Sequence, residues 1–279
     1  MARTIAVVGA TALHASCSSA MLRRLRRGDS SCDLNDPKSL AKALESVNGL
    51  FAAFADSPNQ VEQGKNLVDA AKRSRTSSYS SLPSISKLSG GAYTRAAAFD
   101  AKEAVAEYAK EQLAAVTLVM AGAFYSNLRS AFYARRLEDG TVRFCVPIKP
   151  TSAMQWVDER HDVGVFAATI FSAPLDRVKG KTYPIMAEPR TLAETANEYE
   201  QATGEKAIGE PLSMAEALEG ILVEQHEMWR QMYGWHDNKP VGTVCYGLFK
   251  PSEDRSWEDL GVKASSFDEF LNRTGFRVQ

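Results

Sequence analysis

The chain lacks most of the signals that announce a chemistry directly. Its 279 residues include only four cysteines and four histidines. Cys17, Cys32, Cys145 and Cys245 form no CxxC pair, which argues against a redox couple and leaves them as buried apolar fillers. His14, His161, His226 and His236 share no metal-ligand spacing, so no metal site is expected. Neither charge dominates, with 33 Lys and Arg against 34 Asp and Glu, so the electrostatic reason to expect a nucleic-acid partner is missing. No run of 18 apolar residues occurs, and no membrane span is expected. Arg3 leads into a short strand-like run rather than the apolar helix of a secretory leader, so the expected address is the cytoplasm or nucleus. No internal repeat or low-complexity tail is visible.

What is present is a long, core-forming chain, 44% hydrophobic, whose first half alternates short apolar runs with helical stretches. Ile5–Val8 reads as a strand and His14–Arg27 as a helix. The cations Arg23, Arg24, Arg26 and Arg27 suit the end of that helix, where they complement the dipole. Asp36-Pro37 opens a helix running to Val47, with proline where no N–H is needed. Leu50–Phe54 follows as a buried strand, then a helix over Val61–Arg73. Residues 74–92, rich in Ser and Gly, read as a loop around a short strand near Tyr79. Asp100–Gln112 is a helix and Ala115–Met120 a further strand. The second half is less regular. Val146–Val157 and Tyr183–Met186 look extended, and capping-box pairs stand at Thr191/Glu194, Ser213/Glu216 and Ser266/Glu269. The expected fold class is α/β: a Rossmann-like parallel sheet with crossover helices plus a smaller C-terminal α+β lobe. The division falls at 1–140 and 141–279, with the lobes interwoven.

The turn after the first strand, Gly9-Ala10-Thr11-Ala12-Leu13-His14-Ala15, has the place of a dinucleotide loop but only one of its three glycines. Gly9 supplies the tight bend, and Ala15 stands where alanine is often tolerated. Ala12 puts a Cβ where the backbone should approach a pyrophosphate. The following helix N-terminus still offers N–H groups to an anion. Downstream, Leu-Arg-Arg-Leu-Arg-Arg-Gly runs into Asp29 and then Asp36-Pro37. A second strand, which should end in a ribose-reading residue about twenty positions past the turn, is missing together with a helix.

Four stretches, "TIAVVGAT", "DLNDPKSLAKALESVNGLFA", "VEQGKNLVDAAKR" and "SSLPSISKLSGGAYTRAAAFDAKEAVAEY", resemble the NmrA-like family. These are atypical short-chain dehydrogenase/reductase relatives common in fungi. The likeness continues through "AFYSNL" and "WVDERHDVGVF" to "SWEDLGVKASSFDEFLNRTGF". The resemblance implies NADP or NAD in the first lobe and a substrate or partner surface on the second. It places Gly9, Thr11, Ala12, Leu13 and His14 on the phosphate loop, and Ser80 and Ser81 beside the nicotinamide. Lys102 falls on the lysine that reaches the nicotinamide ribose and assists proton transfer in reductase-type relatives. Phe124, Tyr125 and Asn127 match a segment lining the nicotinamide end of the cleft. Ala121 departs from the family, which usually has a proline there.

Two constellations have plainer readings. A short-chain dehydrogenase uses Tyr-x-x-x-Lys on a helix, because the lysine lowers the tyrosine pKa. The match at Tyr246 and Lys250 lies far into the C-terminal half, as one chance pair among nine tyrosines. His226 and His236, among Met228, Trp229, Met232, Tyr233 and Trp235, read as a packed helical face, with a substrate or partner surface as the alternative. The resemblance therefore implies an NAD(P)H-dependent oxidoreductase of a small organic, secondary-metabolite-like substrate. The alternative is a non-catalytic NAD(P)-sensing regulator that binds a protein. No direct nucleic-acid or membrane contact is expected.

Overall fold

A computed structural model describes residues 4–8, 32–53, 56–74 and 76–279. The glycine-turn residues Gly9, Thr11, Ala12, Leu13 and His14, and the helix expected over 14–27, lie outside the described residues. The large sheet is built from β1 (Ile5–Val8), β2 (Gly49–Ala52), β3 (Thr76–Ser81), β4 (Val116–Ala121) and a strand from the second half, Thr182–Ile185. All neighbours pair in parallel, in that order. β1 therefore sits directly beside β2, Ile5 opposite Gly49, and no strand lies on its outer side among the described residues.

Strand period explains the two cores. In β2 and the residue after it, Leu50 and Ala52 point to one face, Phe51 and Ala53 to the other, and all four are fully buried. The first face packs on α1 (Pro37–Ala43), α2 (Gln60–Ala70) and α3 (Ala97–Gln112), through Leu40, Leu67, Val68, Val105 and Ala109. Asp36 caps α1, accepting from the Lys38 N–H at 2.9 Å, and Pro37 occupies its first turn. α2 crosses α3 closely at Gly64, where a Cβ would meet Val105 Cγ2 at 2.3 Å. The second face packs on α4 (Asp162–Ser172) through Val163, Phe166, Ala167 and Ile170.

Four features differ from the expectation. Where a loop with a short strand is expected, Thr-Ser-Ser-Tyr-Ser-Ser forms a six-residue central strand, paired to β2 and β4. Pairing on both sides gives its backbone groups partners, which overrides the weak strand preference of serine. The helix opened by Pro37 ends at Ala43, with a turn before Asn48, and α3 starts three residues early at Ala97. Val146–Val157 is not one extended run. Pro147 and Pro150 remove ladder donors, and a turn closes Ser152 N–H onto Lys149 O at 2.9 Å. Only two-residue bridges at Ala153–Met154 and Trp156–Val157 remain.

The rest of the chain builds a second core. β5 (Ala134–Arg136) and β6 (Val142–Phe144) pair antiparallel, before β7 (Thr182–Ile185) returns to the large sheet. β8 (Ala207–Gly209) then joins β6 in parallel. α5 (Leu192–Thr203), α6 (His226–Asn238) and α7 (Phe267–Thr274) close the core around Phe144, Tyr199, Phe267 and Phe270. The capping boxes of Thr191, Ser213 and Ser266 each form, both bonds present. No helix among the described residues is long and apolar enough to cross a membrane.

The two cores meet at a buried carboxylate. Asp162, 1% exposed, accepts from Ser265 N at 2.9 Å, Ser265 Oγ at 2.6 Å and Asp158 N at 3.1 Å, and meets His161 Nδ1 at 3.0 Å. Arg273 on α7 closes the knot on Asp158 Oδ2 at 2.7 Å and donates to Ser265 Oγ at 3.0 Å. Asp162→Ala strands these donors away from water. It is expected to cost about 3 kcal/mol of unfolding free energy, read as a lower urea midpoint with an unchanged slope. A change under about 0.5 kcal/mol would show that the knot is dispensable.

Candidate functional site

In a parallel sheet of this kind, ligands sit outside the C-terminal strand ends. At those ends Ser80 is half-buried and Ser81 buried on β3, and the loop after it is shaped by its own sequence. Ser84 caps the short helix Ile85–Leu88, accepting from Lys87 N–H at 3.1 Å. Asp100, in the first turn of α3, accepts from Ser84 Oγ at 2.7 Å and Ser86 N at 3.2 Å, and also bonds the Ser86 hydroxyl. The loop "SLPSISK" is thereby pinned to α3.

Two residues further along α3 stands Lys102. Its side chain is largely buried, and its Nζ pairs with Asp56 Oδ1 at 2.5 Å, beyond the end of β2. Ser81 Oγ donates to the Lys102 carbonyl at 3.3 Å. A buried ammonium, its exposed carboxylate partner and the end of β3 are thus held together.

Beside them, over the ends of β3 and β4, lies a cavity of about 190 Å³. Leu82, Phe99, Asn127, Trp235, His236 and Tyr246 are among its lining residues. Phe99 is on α3, three residues from Lys102, which makes the cavity and the lysine neighbours on one helix. Trp235 and His236 reach it from α6. Tyr246 comes from a turn in which Cys245, Tyr246 and Gly247 are all left-handed, at φ 52°, 58° and 98°. Two successive non-glycine residues with positive φ need strong support. They have it: Tyr246 Oη donates to Ala121 O at 3.0 Å, Trp235 Nε1 donates to Tyr246 O at 2.8 Å, and Cys245 N donates to Gln155 Oε1 at 2.8 Å. Phe99 and Tyr246 meet edge to face, 5.0 Å between centroids. A larger cavity, about 650 Å³, lies beside the end of β7 with a more charged wall including Glu188, Arg190, Glu258 and Lys263.

The electrostatics of the smaller cavity favour neutral groups. Burial lowers the His236 pKa to about 4, with a further push from Lys239, so the ring is neutral near pH 7. Its Nε2 lies 3.0 Å from Ala153 O, a bond that requires the proton on Nε2 and leaves Nδ1 as an acceptor. Burial pushes the Tyr246 phenol well above its ordinary value and lowers the Lys239 ammonium.

The structure brings Ser80, Ser81 and Lys102 to one place, with Asn127 lining the adjoining cavity. Phe124 is half-buried and packs against the α4-side core. The Tyr125 ring is 1% exposed and lies in a stack with Phe270, Phe267 and Trp156, at 4.7, 5.2 and 6.0 Å; it reaches the larger cavity. Gly9, Thr11, Ala12, Leu13 and His14 fall outside the described residues. Sequence reasoning missed Phe99 and Leu82, which carry no motif. It noticed His236 and Trp235 only as a packed face, and Tyr246 only as a chance match. Tyr246 is not on a regular helix, and Lys250 lies exposed in the following loop, so the pair does not form a dehydrogenase dyad. His226 bonds Ile221 O at 2.9 Å and is no part of the cavity.

The model of the NmrA-like family matches residues 30–271. Among solved structures, the chain is similar to Nmra, a negative transcriptional regulator, in complex with NAD. The identity is 19%, the TM-score 0.77, and the match covers 98% of this chain and 95% of that one. The complex of the same regulator with NADP matches at 20% identity and TM-score 0.76, with the same coverage. An NADPH-dependent quinone oxidoreductase from Escherichia coli, complexed with NADPH, matches at 18% identity and TM-score 0.73, covering 98% of this chain and 100% of that one. These likenesses establish the Rossmann-like fold.

The His236 environment sets a pH dependence. As pH falls through about 6.5 the unfolded chain binds a proton at this residue, while the folded protein resists until about 4. Stability is therefore lost through that window and levels off below it. Urea midpoints at pH 7.5 and pH 5 should fall further for the native protein than for His236→Gln. Equal losses in the two proteins would rule out a neutral, buried His236.

Proposed function

Because this chain belongs to the NmrA-like family, we propose that it binds NAD(P)(H) and acts as an NAD(P)H-dependent oxidoreductase on a small organic substrate. The observation that carries the reading is the juxtaposition of Lys102 with an aromatic-lined cavity at the C-terminal ends of β3 and β4. A reduced nicotinamide supplies a hydride when bound. The residues at the strand ends fit such a group. Ser80 and Ser81 are small, Lys102 brings an ammonium to a largely buried position, and Asn127 lines the neighbouring space. Lys102 would hold ribose hydroxyls and donate the proton that balances the hydride. Phe99 and Trp235 would keep water from the reacting carbon. The phosphate end falls to Gly9, Thr11, Ala12, Leu13 and His14.

A second reading has its own support. Tyr246 has its hydroxyl committed to Ala121 O, and Lys102 is already paired with Asp56. That arrangement suits a protein that senses NAD(P) without turning over and passes the signal to a protein partner, as befits similarity to a transcriptional regulator.

Calorimetric titration with NADPH and NADH tests both. Saturable binding is expected, weakened about 10- to 100-fold by Lys102→Ala, the worth of one charge-assisted contact. Asp56→Asn should tighten it by releasing the ammonium. Lack of binding at millimolar cofactor would sink both readings. Given binding, cofactor oxidation with substrate that vanishes in Lys102→Ala identifies the enzyme; binding without turnover identifies the regulator.

A further inference from the structure

We infer that the cavity over β3 and β4 selects an uncharged, single-ring aromatic ketone, with Asn127 as the residue that recognises its oxygen. The inference rests on the reading of these strand ends as a ligand site, and it names the class of molecule that site takes. Three observations carry it.

The first is size. Pockets for drug-sized ligands run from about 300 to 1,000 Å³, whereas an apolar cavity of about 150 Å³ holds a benzene molecule. At about 190 Å³ this cavity is nearer to a benzene-sized site than to a drug-sized one, so it favours one ring with a short substituent over a larger fused-ring ketone. Its walls are stiff. Tyr246 is fixed by the bonds that support its left-handed turn, and Phe99 and Trp235 are buried against it in one cluster.

The second is wall chemistry. Leu82, Ile85, Phe99, Trp235 and Tyr246 offer apolar and aromatic surface that suits a flat ring. Most polar groups at the wall are already committed. Tyr246 Oη donates to Ala121 O, His236 Nε2–H to Ala153 O, and Lys239 Nζ to His236 O at 3.0 Å. The Asn127 side-chain amide has no hydrogen-bond partner among the described residues, and it can donate to a carbonyl oxygen.

The third is charge. His236 is neutral, and the only cation lining the cavity among the described residues, Lys239, is tied to the end of its own helix. A carboxylate ligand would lose its hydration without a free counter-charge.

Calorimetry without cofactor, using acetophenone, ethylbenzene, 2-acetonaphthone and benzoate, tests the inference separately from cofactor binding. Acetophenone should bind with a dissociation constant on the order of 1 mM, while 2-acetonaphthone and benzoate bind at least about tenfold more weakly. Asn127→Ala should weaken acetophenone about fivefold yet change ethylbenzene, which lacks the carbonyl, by less than about twofold. Ala123→Leu, which fills the cavity wall, should abolish binding of both. The ligand series on the native protein stands even if that variant folds poorly. Failure of acetophenone to bind at about 20 mM, tighter binding of 2-acetonaphthone or benzoate, or equal losses for both ligands in Asn127→Ala would overturn the inference. Acetophenone binding in a protein that takes no NADPH would refute the proposed oxidoreductase and leave the cavity's selectivity standing.

Discussion

The carboxylate of Asp162 is the constraint on which the rest of the structure depends. An acid that is 1% exposed is tolerable only when its oxygens are filled with donors, and here they come from distant parts of the chain. Asp158 lies just past the bridge at Trp156–Val157, beside the ends of β4 and β7. Ser265 precedes the cap of α7. Through Arg273 the same knot reaches into α7, whose Phe267, Phe270 and Leu271 form the floor of the second core. The large sheet side and the C-terminal core are therefore fastened by directed polar contacts as well as by hydrophobic ones. Because hydrogen bonds are directional, these contacts fix register as well as proximity. The cavity over β3 and β4 is walled from both parts of the chain, by Phe99 from the first half and by Trp235 and Tyr246 from the second.

The sheet places the site by a simpler rule. Parallel strands buried on both faces leave only their ends for ligands, and the C-terminal ends carry the loops. β2, β3 and β4 end in Ala52, Ser81 and Ala121, all small. The groups that stand over them come from helices and from the turn at 245–247. Asp56 and Lys102 meet across two such ends, and the pair is unequal in exposure, the carboxylate outside and the ammonium inside. An outer carboxylate is easily hydrated, so the pair opens from the Asp56 side, while Lys102 stays where burial has put it. On the proposed function, that asymmetry would make Lys102 available to a ligand that displaces Asp56.

Much of this was legible in the sequence, and what was not has physical reasons. The alternation of apolar runs and helical stretches gave the α/β class, and the side chains of Thr191, Ser213 and Ser266 announced three helix starts without ambiguity. The strand expected to be missing after Gly9 falls outside the described residues, within which β1 pairs directly with β2. Strand β3 was hard to read because serine carries no strong preference, and its position between two partners decides its state. The cavity was harder still. Phe99, Leu82, Trp235 and Tyr246 come from separate places in the chain, and no local pattern links them. Tyr125 shows the converse, since a residue matched to the cleft by sequence has its ring in an aromatic stack of the C-terminal core. A match of position leaves the direction of a side chain to packing.

The turn at Cys245–Gly247 decides what chemistry the cavity can support. A tyrosine that moves protons in a reductase needs a pKa lowered toward neutrality, which takes a nearby cation and water or ligand to exchange with. Tyr246 has the opposite setting: burial raises its pKa, its hydroxyl is bonded to the carbonyl that ends β4, and Lys250 lies in exposed loop. Its left-handed backbone is held by neighbours on three sides, so the ring is an architectural wall. His236 is excluded as an acid near pH 7 for a related reason, being neutral and bonded through its one N–H. Lys239 lines the cavity but is bonded to the end of its own helix, so on the proposed reading the proton at the strand ends would come from Lys102, beside the cavity on α3, with Asp56 deciding whether it is free to do so. Under the proposed function, catalysis and silent sensing would separate on this ion pair: a ligand that displaces Asp56 would release a proton donor, and one that leaves the pair intact would only be bound.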